Sequence, residues 1–182
     1  MILLLELLAG MATAGILAWL FFTASADNIG KLEKLCRNKY AGLALSLPCA
    51  LLCVPLAVPV SPQFLIIWLY PLAIVLPLLC YWHIDYYASR GLSFFLILLA
   101  YDLVHGCFEL AVPGGSVITV IWLLLGIAGI WIAAKPCTLR DIFRKAAKSK
   151  VWKICAAVCG FTGAVCALYM LIMMFISGVF AK

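Results

Sequence analysis

Ionisable side chains lie inside an otherwise apolar segment of this 182-residue chain, and they are the residues best suited to chemistry. Asp102, His105 and Glu109 stand at positions i, i+3 and i+7, which places them within about 60° of one another on a helix. A histidine titrates near neutrality and a desolvated carboxyl has a raised pKa, so such neighbours can relay a proton or bind a cation. The spacing predicts a pathway with Asp102 as the acceptor, His105 as the group that tunes it and Glu109 as the outer entry group.

Two further ionisable residues, His83 and Asp85, lie near the end of the preceding apolar run. If the chain turns at Ser89–Gly91, His83 lies roughly two helical turns inward of His105. The histidines and carboxyls of the two segments would then form a discontinuous polar track through the protein. Pairing that only holds the helices in register is the structural alternative.

The same residue types are ligands for a divalent metal such as Zn²⁺, and the candidate set is His105, Asp102 and Glu109. A bound metal that activates water would make the protein a membrane-embedded metal-dependent hydrolase. The spacing matches no H-E-x-x-H signature, and no G-x-S-x-G or phosphate-binding glycine loop is present. We therefore expect no resident cofactor and favour a function other than catalysis.

Composition defines the elements that must position these groups. The chain is 68% hydrophobic and 11% charged, with a mean hydropathy of +1.20, which excludes an ordinary soluble domain and a disordered chain. About 20 apolar residues cross a bilayer, and six runs of that length are present. We predict an all-α, polytopic membrane protein with one domain, residues 1–182, and six transmembrane helices at Ile2–Ala24, Ala41–Pro59, Gln63–Tyr87, Gly91–Ala111, Val117–Ala134 and Ile154–Phe180.

The first of these runs also resembles a signal peptide, because Ala24-Ser25-Ala26 has the pattern of a cleavage site. The run contains Glu6, has no basic residue before it and is longer than a typical signal core. We therefore expect a retained span.

Proline content predicts the shape of two spans. Six of the eight prolines lie in spans two and three and the turn between them. A proline inside a helix removes a hydrogen bond and clashes with the preceding turn, so both spans should be kinked or locally unwound. The six are Pro48, Pro55, Pro59, Pro62, Pro71 and Pro77.

Charge distribution predicts the orientation. Twelve of the thirteen Lys and Arg residues lie in loops one, three and five, and Lys182 is the exception. By the positive-inside rule these loops face the cytoplasm, and six spans put both termini outside. We expect an integral protein of a bacterial cytoplasmic membrane, with the lipid bilayer as its main partner.

The loop Pro136–Lys153 contains an amphipathic segment with a capping box formed by Thr138 and Asp141. Its apolar face is Leu139, Ile142, Phe143, Ala146 and Ala147. Its basic face consists of Arg140, Arg144, Lys145 and Lys148. Together the two faces predict a helix that lies on the membrane surface. A weaker copy after span one consists of Ile29, Leu32, Cys36 and Tyr40. These faces could instead bind a cytoplasmic or membrane partner subunit, whereas nucleic-acid binding has no separate support.

Small and sulfur-containing residues give weaker signals. Four-residue ladders in spans one and six predict close helix packing, at Gly10, Ala14 and Ala18 and at Ala156, Gly160 and Ala164. Sulfur-containing side chains lie on one side of span six, at Cys155, Cys159, Cys166, Met170 and Met173. Such side chains can bind Cu(I) or can serve as ordinary apolar packing.

These features together favour a small inner-membrane transport protein, or the membrane subunit of a transport complex, that moves an ion or small solute. The alternatives are the metal-dependent hydrolase and a non-catalytic scaffold or assembly subunit that holds a partner.

Overall fold

A computed structural model describes residues 2–25, 27–109 and 114–176 of the chain. All regular elements in these ranges are helical, and a 3₁₀ turn, Val58–Val60, follows the third helix. The helices are α1 (Ile2–Thr23), α2 (Ile29–Arg37), α3 (Lys39–Ala57), α4 (Gln63–His83), α5 (Tyr87–Glu109), α6 (Gly115–Ala134), α7 (Cys137–Lys148) and α8 (Lys150–Ile176). The predicted all-α class is therefore confirmed.

Five helices among the described residues are long and apolar enough to cross a membrane: α3, α4, α5, α6 and α8. They correspond to the second through sixth predicted spans. The first predicted span corresponds to α1, a helix of 22 residues that is not one of the five. Several side chains in its first half lie outside the described ones, so the six-span topology stays a prediction.

The helix α5 lies at the centre of the bundle and is the most buried of the five membrane-length helices. It packs against α3 on one side and α6 on the other, while α1 packs along α8. Two apolar cores border α5. One is centred on Leu103 and Met170, and the other on Phe143, whose ring lies 4.6 Å from that of Phe21.

The helix α3, rather than α5, is the main neighbour of α4. The predicted antiparallel pairing of spans three and four is therefore wrong, because α3 packs against both of them. The break between the two spans also differs from the expectation. It falls at residues 84–86 instead of Ser89–Gly91, and Tyr86 adopts a left-handed backbone conformation there with φ of 55°.

Two short helices, α2 and α7, pack against each other at one end of the bundle, next to the turn between α4 and α5. We call this the basic end. On α7 the predicted apolar face is confirmed, since Leu139, Phe143 and Ala146 are buried. On α2, Leu32 and Cys36 are buried. Tyr40, assigned to the same face, lies instead on α3 and is exposed, because α2 ends at Arg37.

The predicted capping box of α7 is wrong. The helix begins at Cys137, its N-cap is Pro136, and no side chain caps it. Asp141 accepts hydrogen bonds from its neighbour Arg140 instead of reaching the helix start. A charge-assisted bond to a guanidinium thus replaces the local backbone bond that the spacing predicted.

The helical assignment continues through the prolines inside α3 and α4, namely Pro48, Pro55, Pro71 and Pro77. Local unwinding is therefore not seen at these four positions. A bend at them stays a prediction. The 3₁₀ turn at Val58–Val60 contains Pro59, where the chain reverses between α3 and α4.

Candidate functional site

The predicted polar stripe lies on α5, and its two described side chains have different environments. Asp102 is half-buried and close enough to Cys53 of α3 for its charge to act on that thiol. His105 is exposed and stacks on Tyr101, with ring centroids 6.1 Å apart and an interplanar angle of 7°. The stripe thus runs from the α3–α5 interface to the outer side of α5. Both Asp102 and His105 interact with neighbouring groups.

His105 borders an open groove of about 340 Å³ between α5 and α6. The other lining residues are mostly apolar. They include Gly126 of α6, where an added Cβ would lie 3.1 Å from the Cβ of Ala100 on α5. On α5, neighbouring Cβ atoms at positions i and i+3 lie about 5–6 Å apart. One helical turn therefore connects the groove to the half-buried carboxyl of Asp102.

Glu109, the third member of the stripe, is the last residue of α5, and its side chain lies outside the described ones. Among the described side chains, no three from His, Cys, Asp and Glu come together as a metal site would require. The candidate metal set of His105, Asp102 and Glu109 therefore depends on a residue that is not described.

His83 and Asp85 lie at the basic end, and both are exposed. Because α4 ends at His83 and α5 begins at Tyr87, His105 lies 18 residues along α5, or about 27 Å. The predicted separation of two helical turns between the histidines is therefore wrong. These two residues do not extend the stripe of Asp102 and His105 into a track.

A buried hydroxyl network joins three helices below the stripe. The hydroxyls of Tyr87 and Ser46 lie 2.5 Å apart, and Tyr87 donates to the carbonyl of Pro77 at 2.8 Å. The network connects α5 to α3 and α4. The sequence does not predict this network, because the apolar run of span three extends to Tyr87 and so places this residue on a different helix. The only signal is that a tyrosine and a serine in apolar runs need hydrogen-bond partners.

The basic end contains a second unpredicted cluster, which is centred on Tyr86. Arg37 of α2 donates to its hydroxyl at 2.8 Å, and Arg140 of α7 donates at 3.1 Å. The Arg37 guanidinium also lies over the Tyr86 ring, 4.8 Å from the centroid. The bond to Tyr86 raises the pKa of Arg37, so this guanidinium stays charged.

Ion pairs connect the same two short helices. Arg144 of α7 donates to Glu33 of α2 at 2.5 Å, and this bond lowers the pKa of that carboxyl. Arg140 pairs with Asp141 at 3.1 Å. Of the four predicted membrane-surface residues, the two arginines thus make hydrogen bonds and ion pairs within the protein. The other two, Lys145 and Lys148, are exposed, and Lys145 lies 5.3 Å from the Trp152 ring centroid.

Small residues of α1 and α8 line an apolar cavity of about 380 Å³ instead of bringing the two helices into the closest contact. Ala18, Ala156, Gly160 and Gly163 all border it. A Cβ added at Gly163 would meet no atom within 4 Å. The helices α1 and α8 pack against each other, as the ladders predicted, and the described ladder residues Ala18, Ala156 and Gly160 border the cavity.

The sulfur stripe of α8 is divided between two environments. Cys155 and Cys159 are exposed, whereas Cys166 and Met170 are buried in a core. The thiol of Cys107 lies 3.5 Å from the sulfur of Met170. Sulfur here fills apolar space at the centre of the bundle.

No protein-family model, curated protein or solved structure matches this chain. The class of protein is therefore defined by the fold alone. It is an integral membrane protein built from helices, and five of those described are apolar enough to cross a bilayer.

Proposed function

We propose that this protein is a small membrane transport protein, or the membrane subunit of a transport complex, and that Asp102 and His105 carry a proton or cation. One observation supports this most directly. A single turn of α5 places an exposed imidazole in an open groove and a half-buried carboxyl at the α3–α5 interface. Ionisable groups within membrane-length helices cost free energy and are candidates for ion pathways by default.

The proposed sequence of transfer begins at the groove. His105 borders this groove and would receive the proton there. Asp102 then receives it at the interface of α3 and α5, where its carboxyl is half-buried. Glu109 follows one turn beyond His105 and would serve as the entry group. In this proposal the basic end faces the cytoplasm and both termini lie outside.

A partner subunit would bind at the basic end, where α2 and α7 present exposed lysines. This arrangement suits the membrane subunit of a complex as well as an independent transporter. The metal-dependent hydrolase would use the same stripe with Glu109 as a third ligand.

Proton flux in reconstituted vesicles tests the proposal. We expect wild-type protein to dissipate an imposed pH gradient, followed by an enclosed pH-sensitive dye. Asp102→Asn removes the proton acceptor without changing its size, so it should reduce the flux about tenfold or more. His105→Ala should slow the flux by removing the imidazole that passes the proton to Asp102.

Matched controls are available at the basic end. Asp85→Asn and His83→Ala make the same chemical changes about 27 Å from His105. They should leave the flux near the wild-type level. Absence of wild-type flux, or equal flux in wild type and Asp102→Asn, would contradict the proposal for protons; the same comparison with a monovalent cation gradient tests the cation form.

A further inference from the structure

Two arginines from different helices converge on one phenol oxygen at the basic end. The donor distances to the Tyr86 hydroxyl are 2.8 Å from Arg37 and 3.1 Å from Arg140. Because both end on the same oxygen, the two guanidinium nitrogens are at most 5.9 Å apart, the sum of those distances. Two like charges this close repel each other unless an anion lies between or beside them.

The pair as a whole stays positive, because one nearby carboxylate, Asp141, lies beside it and bonds to one of the two arginines, Arg140. Asp141 accepts from two nitrogens of Arg140, and Glu33 accepts from Arg144. Asp85 is exposed and acts on Arg37 only at longer range. The Arg37 guanidinium donates one hydrogen bond through Nη2 to the Tyr86 hydroxyl. Arg37 therefore keeps donors that an incoming anion can use.

The backbone at Tyr86 is held in an unusual conformation. Its φ of 55° lies in the left-handed region, which a bulky residue rarely adopts and which costs of order 1–3 kcal/mol. This conformation lets the ring lie beneath Arg37 while its hydroxyl reaches Arg140. Contacts with the two arginines thus hold the strained turn, and the turn holds the arginines together.

An apolar cavity of about 200 Å³ lies next to the pair. Cys36, the neighbour of Arg37, and Leu139, the neighbour of Arg140, both line it, and so does Ala88 behind Tyr86. Leu17, Leu20 and Leu45 form much of the remaining wall. A dry cavity of about 150 Å³ is large enough for benzene, so this one can hold part of a hydrocarbon chain.

We propose that Arg37 and Arg140 bind the phosphate of an anionic glycerophospholipid, with a segment of one acyl chain in the adjacent cavity. A phosphate accepts charge-assisted hydrogen bonds of about 2.7–2.9 Å, and its oxygens can reach both guanidiniums at this separation. The charge and the apolar space lie side by side, as they do in a lipid at the membrane interface. The site is separate from the α5 stripe and does not depend on proton transport.

Lipid binding by the full-length protein in a neutral detergent tests this site. We would measure affinity for phosphatidylglycerol, phosphatidylcholine and inorganic phosphate by native mass spectrometry and by thermal stabilisation. Wild type should bind phosphatidylglycerol most tightly. Arg37→Gln should weaken that binding about tenfold, because a charge-assisted bond is lost. Arg140→Gln should weaken it similarly, and circular dichroism would show whether each variant keeps its helices.

A charge control and a cavity variant distinguish the alternatives. Lys148→Gln removes the same charge from an exposed position of α7 and should leave the affinity near wild type. Ala41→Trp fills the cavity from α3, so it should weaken phospholipid binding while leaving inorganic phosphate unaffected.

Three results would overturn the proposal. Equal affinities for phosphatidylglycerol and phosphatidylcholine would show that no headgroup charge is recognised. Equal losses in Lys148→Gln and Arg37→Gln would show that the attraction is diffuse. Tight binding of inorganic phosphate that Ala41→Trp leaves unchanged, with no preference for the lipid, would assign the site to free phosphate.

Discussion

The hydroxyl groups of single residues connect α5 to α3 and α4 by hydrogen bonds. In a bilayer, lipid is as apolar as the helix surfaces, so association depends on packing and on hydrogen bonds between helices. Tyr87 supplies such bonds at the junction of three helices, with Ser46 on α3 and Pro77 on α4. Pro77 lacks an N–H group, and its own carbonyl accepts from the tyrosine. The residue at the start of α5 thereby fixes how α4 lies against the bundle.

Tyr87→Phe removes the hydroxyl and keeps the ring, so it isolates this network. We expect a loss of about 1 kcal/mol in unfolding free energy, which is typical of a hydrogen bond between membrane helices. Unfolding in mixed micelles would measure it. Tyr70→Phe, at an exposed position of α4, is the control and should change little. Equal stability of Tyr87→Phe and wild type would show that the network contributes nothing.

The ion pair between Glu33 and Arg144 predicts a pH dependence of stability at the basic end. Arg144 lowers the pKa of Glu33 below its ordinary value of 4.5. A lowered folded-state pKa gives stability that is present above the unfolded pKa and is lost as the pH falls through the folded one. We expect Glu33→Gln to lower the melting temperature slightly at pH 7 and to have a progressively smaller effect as the pH falls below 4.5 toward pH 3. The effect should be small because the pair is exposed. A difference from wild type that stays constant between these pH values would contradict this role.

At the scale of elements, the helix α5 lies close to glycines of its neighbours α3 and α6. A Cβ at Gly42 of α3 would lie 2.6 Å from the backbone of Tyr87, and one at Gly129 of α6 would lie 3.1 Å from the carbonyl oxygen of Ser93. Backbone atoms cannot move aside as a flexible side chain can. These two glycines therefore set the distances from α5 to α3 and α6, and with them the positions of Asp102 and His105.

Gly42→Ala should destabilise the protein by about 1–3 kcal/mol, because the added methyl must push α3 away from α5. Gly129→Ala should act in the same direction to a smaller extent. Gly163→Ala is the matched control, since its methyl would enter open space beside the cavity of α1 and α8. It should be neutral or slightly stabilising. Thermal unfolding in detergent would compare the three, and equal effects at all three positions would show that close packing at α5 does not matter.

At the scale of the whole molecule, charge separates the two ends of the bundle. Both amphipathic helices lie at the basic end, whereas the 3₁₀ turn Val58–Val60 and the start of α6 at Gly115 lie at the other. Four charged side chains join α2 and α7 into one surface: Glu33, Arg144, Arg37 and Arg140. Such a surface suits the interface of an anionic leaflet.

Orientation is testable by labelling single added cysteines. Lys148→Cys lies at the basic end and Ser116→Cys at the other, and both positions are exposed. In intact cells an impermeant maleimide should label Ser116→Cys above the wild-type background and should reach Lys148→Cys only after permeabilisation. This result follows from the positive-inside rule. The reverse pattern would contradict the assigned orientation and, with it, the direction of transport.

Local periodicity and composition were sufficient to predict most helices. The start of α4 at Gln63 and the end of α6 at Ala134 agree with the predicted spans, because apolar length and flanking polar residues determine both. The buried faces of α2 and α7 were also largely predictable from spacing. The turn at residues 84–86 was not predictable, because a tyrosine with a positive φ gives no recognisable turn signal in the sequence.

The sequence by itself determined that this chain is helical, apolar enough for a membrane and basic at one end. The reason is that the local hydropathy and the local charge of a segment depend only on residues that are close along the chain. Tertiary structure decided which ionisable groups meet. It separated His83 and Asp85 from the stripe on α5, and it brought Arg37 and Arg140 together on Tyr86 across more than a hundred residues. Such contacts between residues far apart in sequence depend on the distances and angles at which helices pack. Glycines influence these distances only through neighbours on other helices, which local sequence patterns do not reveal.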